Sequence, residues 1–345
     1  MEFAFIIEKF ILIIVVFIIT LVIAMYSTLA ERKVAGFMQD RLGPDRAGIF
    51  GILQPLCDGG KFFFKEEIIP AGAHKPLFIL GPTLAIITAC IGSAVIPWGQ
   101  ALTIGDRVVE LQVADINVGI LYIFGVVALG VYGIMLGGWA SNNKFSLMGA
   151  VRAASQSISY ELAMGLSIIA LLMVTQSLSL KEIVAQQEGF VNWNIWGQPL
   201  GFLIFLICAF AETNRVPFDL PECETELVGG YHTEYSSMKL GLYMFSEYIN
   251  MFVSSALMAA IYFGGYNFPF MYDLGLSANW ITIIGVFAFF AKIIAFIFFF
   301  MWIRWTLPRF RYDQLMNLGW KMLIPLALVN IALTGVFLIL KDKFF

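Results

Sequence analysis

Charge is what this 345-residue sequence has least of: Asp, Glu, Lys and Arg together make up 13% of it, and the formal net charge is −3. A balance so small and dispersed excludes the basic surface that nucleic-acid binding requires. Histidine occurs only as His74 and His232, which excludes a haem held between paired imidazoles. The four cysteines, Cys57, Cys90, Cys208 and Cys223, form no C-x-x-C. Neither zinc nor an iron–sulfur cluster is signalled, and the cysteines read as reduced, buried small residues. No phosphate-binding G-x-x-x-x-G-K-[ST] loop and no Gly-rich dinucleotide fingerprint is present. The expectation is a chain with no metal and no complete catalytic site, whose redox chemistry, if any, comes from partners.

What is abundant is apolar surface, with 60% hydrophobic residues and a mean hydropathy of +0.84. Eight apolar segments, near 10–30, 76–97, 115–139, 155–176, 195–212, 239–263, 278–303 and 319–340, suffice to cross about 30 Å of hydrocarbon. This predicts an all-α, polytopic membrane protein of eight transmembrane helices, with residues 1–345 as a single membrane domain. The first segment reads as a retained span, since Glu2 and Glu8 oppose Lys9 and the apolar run is too long for a signal peptide. Fifteen of the 21 lysines and arginines fall between spans 1–2, 3–4, 5–6 and 7–8, helix ends included. The positive-inside rule then puts both termini on the non-cytoplasmic side.

Two cytoplasmic connections stand out. Residues 211–238 carry Glu212, Asp219, Glu222, Glu224, Glu226 and Glu234 against a single arginine, Arg215, on a stretch interrupted by Pro217 and Pro221. So many acids would be repelled by anionic lipid heads, so the loop is expected to face protein or a polar cavity. In the first connection, 31–75, Ile49, Ile52, Leu53 and Leu56 predict one apolar stripe of an interfacial amphipathic helix. It reads either as a surface anchor or as the wall of a channel mouth for a lipid-like substrate. Span 3 contains Gly133-x-x-x-Gly137, which permits close helix packing.

Ionisable groups inside spans are costly and point to function. Glu161 lies nine residues beyond Arg152 and Glu247 eight beyond Lys239, so both sit roughly 12–14 Å along helices that start at the cytoplasmic face. Glu212 ends a span running toward that face. Three carboxylates at similar depth are what a proton relay requires; the competing reading is a neutralised network paired to Arg215, Lys239 or Lys292.

Several polar blocks together resemble one family. Ala30-Glu31-Arg32-Lys33, Gln39-Asp40-Arg41-Leu42-Gly43-Pro44-Asp45-Arg46, Leu53 to Lys61, Ser155 to Glu161, Glu212 to Glu222, Gly230 to Tyr235 and Thr306 to Gln314 are similar, in order, to the H subunit of NADH:quinone oxidoreductase, respiratory complex I. The resemblance implies eight transmembrane helices in a bacterial inner membrane, quinone (ubiquinone or another) as substrate, and a role in coupling quinone reduction to proton translocation. It implies complex I partners: peripheral-arm quinone-site and iron–sulfur subunits that hold flavin and clusters, and small neighbouring membrane subunits. By position, Glu161, Glu212, Glu222, Glu224, Glu226, Glu234 and Glu247 resemble its acidic proton pathway. Arg32, Arg41, Asp58, Lys61 and Arg215 resemble its quinone channel or the adjoining interface. Cys57 and Cys223 depart from the expected alanine. A stand-alone proton or cation antiporter, a membrane-bound hydrogenase subunit and a purely structural anchor are the alternatives.

Overall fold

A computed structural model describes residues 2–105, 107–221, 224–271 and 275–344. In chain order its helices are α1 (Glu2–Met38), α2 (Gln54–Phe64), α3 (Lys75–Ile91), α4 (Gly119–Ala140), α5 (Lys144–Thr175), α6 (Leu180–Gln186), α7 (Asn194–Gly197), α8 (Pro199–Glu212), α9 (Glu224–Leu227), α10 (Ser237–Tyr262), α11 (Ala278–Thr306), α12 (Tyr312–Asn317) and α13 (Ile324–Phe344). Seven stretches are long and apolar enough to cross a membrane: α1, α3, α4, α5, α10, α11 and the continuous α12–α13 rod. The shorter apolar helix α8 has 14 residues, about 21 Å, less than the hydrocarbon thickness. The protein is an all-α, multi-pass membrane protein.

Helix α10 is the centre of the bundle, touching α1, α2, α3, α8 and α11. Its apolar window is 67% buried, against 11% for α1, so α10 faces protein while α1 offers most of its surface to lipid. Around α10 the packing is aromatic: Trp98 stacks on Phe252 and Phe290, with ring centroids 5.7 and 5.6 Å apart.

The Gly133-x-x-x-Gly137 pair does permit close approach. A Cβ at Gly133 would lie 2.9 Å from the backbone of Gly81 and Ala85 on α3, and one at Gly137 would lie 1.9 Å from the Tyr243 hydroxyl. Gly137→Ala is therefore expected to destabilise by about 1–3 kcal/mol through overpacking. Gly125→Ala, where the added methyl meets nothing within 4 Å, should be neutral; thermal unfolding of the two variants checks the contrast.

Four sequence expectations need correction. The amphipathic helix begins at Gln54, not Ile49, because Gly48 and Gly51 take positive φ (75° and 78°) around a single 3₁₀ turn. Of the predicted stripe only Leu56 is on α2, although Ile49, Ile52, Leu53 and Leu56 are all exposed. The fourth span starts at Lys144, where the Asn143 side chain caps the helix by accepting from the Phe145 amide at 2.9 Å. A short antiparallel hairpin pairs Leu102–Ile104 with Arg107–Val109, where the all-α expectation has no strand. Cys57 is exposed on α2 rather than buried, Cys90 is partly buried and Cys208 fully so; Cys223 lies outside the described residues.

Candidate functional site

The acidic loop is fastened at its root. Gln156, fully buried on α5, points its Nε2 at the carbonyls of Ala211 (2.8 Å) and Phe218 (2.9 Å) and at Asn214 Oδ1 (3.2 Å). Asp219 accepts from Arg309 at 2.8 Å, Phe310 N–H donates to the Pro217 carbonyl, and Phe218 stacks on Phe310. Residues 213–220 are thus clamped between α5 and the 307–311 connection. Further on, Gly149 lets the Gly230–Tyr231 backbone reach α5: a Cβ there would stand 2.7 Å from the Tyr231 nitrogen. Ser146 Oγ donates to the Tyr231 carbonyl.

A buried ion cluster lies beside this root. Glu31, near the end of α1, accepts from Arg215 Nη1 at 3.2 Å and from the Tyr248 hydroxyl at 2.8 Å, and is also paired with Arg304. The Arg215 guanidinium stacks over the Tyr248 ring at 4.1 Å. Glu31 and Arg215 expose only 8% and 7% of their side chains, Arg304 29%. One carboxylate therefore ties together α1, the acidic loop, α10 and α11. Arg215 Nε and Nη2 find no hydrogen-bond partner among the described residues.

The intramembrane carboxylates gather near the same place, and the charge of Glu247 acts on Arg215. Lys239 pairs with Glu67, Lys292 with backbone carbonyls and Arg215 with Glu31. Glu161 is the charge that acts on Glu212. Glu161 Oε1 and Glu212 Oε2 are buried and without a hydrogen-bond partner among the described residues. Glu247 accepts from the Tyr231 hydroxyl at 2.9 Å. Two cavities of about 30 Å³ each share Glu212 and Asn250 as lining. One runs toward Glu247, Tyr231 and Ser246, the other toward Met164, Phe205 and Ser254. A void of this size can hold a water where its walls are polar, as they are toward Glu247, Tyr231 and Ser246, so Glu212 stands between a hydratable space and a mostly apolar one.

Other predicted residues separate by location. Glu234 accepts from Asn143 at 2.6 Å, and Glu226, half exposed, pairs with Arg152 at 2.5 Å. Glu222 and the side chain of Glu224 lie outside the described residues. Tyr235, at the loop's end, is pushed up to about 12 by burial and stays a neutral donor to the Phe78 carbonyl. On α2, Asp58 gathers Gln54 (2.9 Å), Arg32 (2.7 Å) and Lys61 (3.4 Å). Arg41 stands apart, bonded to Gln39.

Burial pushes the Asp58 carboxyl up, but the Gln54 hydrogen bond and the Arg32 charge outweigh it and hold it below the usual range. A depressed value stabilises the docked α2 at any pH above the ordinary aspartate range, about 3.9, and the contribution is lost only as pH falls below that. Arg32 is 49% exposed, so the pair is worth at most about 1 kcal/mol. Asp58→Asn should change turnover less than about fivefold at neutral pH, measured side by side with the unmodified chain.

Sequence reasoning missed Gln156, Glu31 and Arg304 as site residues. Glu31 and Arg304 carried a signal, since each is a charge at the end of an apolar run. Gln156 carried little beyond its place before Glu161.

Comparison with known proteins bears on the same residues. A family described as NADH dehydrogenase matches residues 10–335. One NADH-quinone oxidoreductase H subunit of Cytophaga hutchinsonii is 67% identical over 97% of this chain and 98% of its own length. The chain belongs to the family of NADH-quinone oxidoreductase H subunits. The H subunit of Flavobacterium psychrophilum is 64% identical over 99% of both chains, and that of Leptospira biflexa 47% over 98% and 96%. Membership of this family makes the chain a membrane component of an oxidoreductase assembly. Among the described residues no group of three or more His, Cys, Asp or Glu is placed to hold a metal.

Proposed function

We propose that this chain forms the quinone access channel of a proton-translocating NADH:quinone oxidoreductase and passes the effect of quinone reduction to a chain of buried carboxylates. In this reading residues 1–345 are one membrane domain with eight crossings. The eighth is α8, extended by the backbone that precedes it, and both termini are non-cytoplasmic. The exposed apolar residues Ile52, Leu53, Leu56, Phe63 and Phe64 lie in the interface, and with α1 and α10 they line an entry for an apolar quinone tail. Arg32, Asp58 and Lys61 flank that entry, and Arg41 faces the peripheral arm.

The observation that carries the proposal is Glu212 between two small cavities, with Glu161 acting on it and Glu247 across the shared void. Reduction of the quinone head brings two electrons, and until two protons follow from the surroundings the poorly screened site carries uncompensated negative charge. Arg215 and the root of the acidic loop are poised to feel it. The consequence passes along Glu222, Glu224, Glu226 and Glu234 and along Glu212, Glu161 and Glu247. Flavin, iron–sulfur clusters and the groups that protonate quinone reside in partner subunits of the peripheral arm.

The reading is tested by purifying the tagged chain from gently solubilised membranes. A large assembly containing flavin and iron–sulfur clusters, with NADH:quinone activity, is expected. A small colourless species that exchanges ions in liposomes would overturn it.

A further inference from the structure

One intramembrane charge plays no part in the pathway above. Lys292 stands midway along α11, 14 residues from either end, about 21 Å from each. Its ammonium donates to the carbonyls of Phe263 (2.7 Å), Gly265 (2.8 Å) and Asn267 (2.5 Å), and it lies 4.6 Å from the centre of the Trp193 ring. Among the described residues all of its partners are neutral.

Those carbonyls lie on the turn that follows α10, which stops at Tyr262 beside the middle of α11. A helix end buried inside the protein, as Tyr262, Tyr266 and Asn267 are, leaves carbonyls with no water to accept from, and the irregular backbone there must be satisfied by protein. Several of these groups are met by neutral partners. Ala259 O accepts from the amides of Phe263 and Gly265, Ala260 O from Gln187 Nε2 and Ile261 O from Asn194 Nδ2. Gln187 Oε1 accepts in turn from the Gly264 amide, and Asn267 Nδ2 donates to Val184 O. Three further oxygens converge on Lys292, at the negative end of the α10 dipole, where a cation is favoured. Glu247 and Tyr248 lie 16 and 15 residues back from Phe263 on the same continuous helix, about 24 Å away.

We propose that Lys292 is a positioning residue, a tethered cation that closes the buried end of α10 and fixes the axial placement of the helix bearing Glu247 and Tyr248. The inference rests on the carboxylate pathway proposed above, because it is through Glu247 and Tyr248 that a shift of α10 is felt. Lys292→Met keeps the length, removes the charge and makes α11 more apolar. It is expected to lower NADH:quinone turnover by roughly tenfold, with NADH oxidation by an artificial acceptor at the flavin retained; Lys292→Arg should keep most of the activity.

Lys292→Ala separates charge from shape: n-propylammonium, which replaces the missing atoms and the charge, should restore turnover, whereas 1-propanol should not. Loss of assembly with Met but not with Arg also supports the proposal, since Met is the easier residue to insert. Full activity of Lys292→Met, equal rescue by propanol, or equal failure of Met and Arg to assemble would overturn it. Normal turnover of Glu212→Gln would sink the pathway reading instead, so the two failures are distinguishable.

Discussion

Glu212→Gln is expected to lower NADH:quinone turnover by at least about tenfold, the lower side of what loss of a positioned proton-transfer group costs. NADH oxidation by an artificial acceptor at the flavin should persist. Glutamine keeps the size and one hydrogen-bonding oxygen, so the two cavities that share this side chain keep their shape and lose only the group that can take and give a proton. Glu161→Gln and Glu247→Gln should follow in the same direction. Glu226→Gln should follow in the same direction but more weakly, because Glu226 is 48% exposed and its pairing with Arg152 is screened. Parallel assays of the two NADH reactions on purified complex decide the matter. Equal loss of both for Glu212→Gln would mean failed assembly, and no loss of either would remove Glu212 from the pathway.

The second large effect is expected at Glu31. Glu31→Gln leaves Arg215 and Arg304 without their carboxylate, and Arg215 is almost wholly buried. Removing one partner of a buried pair costs about 3–5 kcal/mol, enough to undock the root of the acidic loop. Arg304→Gln should cost far less, because it leaves Glu31 matched to Arg215 and to the Tyr248 hydroxyl. The double variant Glu31→Gln/Arg304→Gln should be less damaged than the sum of the two, since one uncompensated guanidinium has gone. Thermal unfolding of the assembled complex and quinone turnover both report this order. Equal single losses that simply add would show that the three groups do not share one charge balance.

The spans were legible because burial in lipid writes itself into composition: runs of about 20 apolar residues match the thickness of a bilayer and little else. The nearness of Glu212 to Glu161 and Glu247 was approachable by residue counting along helices with a known rise. Illegible were the contacts joining distant segments. Nothing local to Glu31 says that it meets Arg215, 184 residues away, or that Gln156 bonds the carbonyls of Ala211 and Phe218. Local backbone rules also beat the pattern in one place. Periodicity puts Ile49, Ile52 and Leu53 on a helix, but the positive φ of Gly48 and Gly51 delays the first α-turn to Gln54. The hairpin at 102–109 escaped because three-residue strands leave almost no periodic signal.

The cap on α10 has a bearing on biogenesis. Its last carbonyls are satisfied by Gln187 and Asn194 from behind in the chain, and those of the turn that follows by Lys292 from ahead. When residue 262 is added to the growing chain, the lysine that completes the cap is still 30 residues from being made. Until α11 enters the bilayer, the end of α10 must stay in contact with water or with the insertion machinery. The fold at this end of the sixth apolar segment is thereby completed only when the seventh arrives, and a nascent chain arrested between them would leave the carbonyls of residues 263, 265 and 267 without their cation.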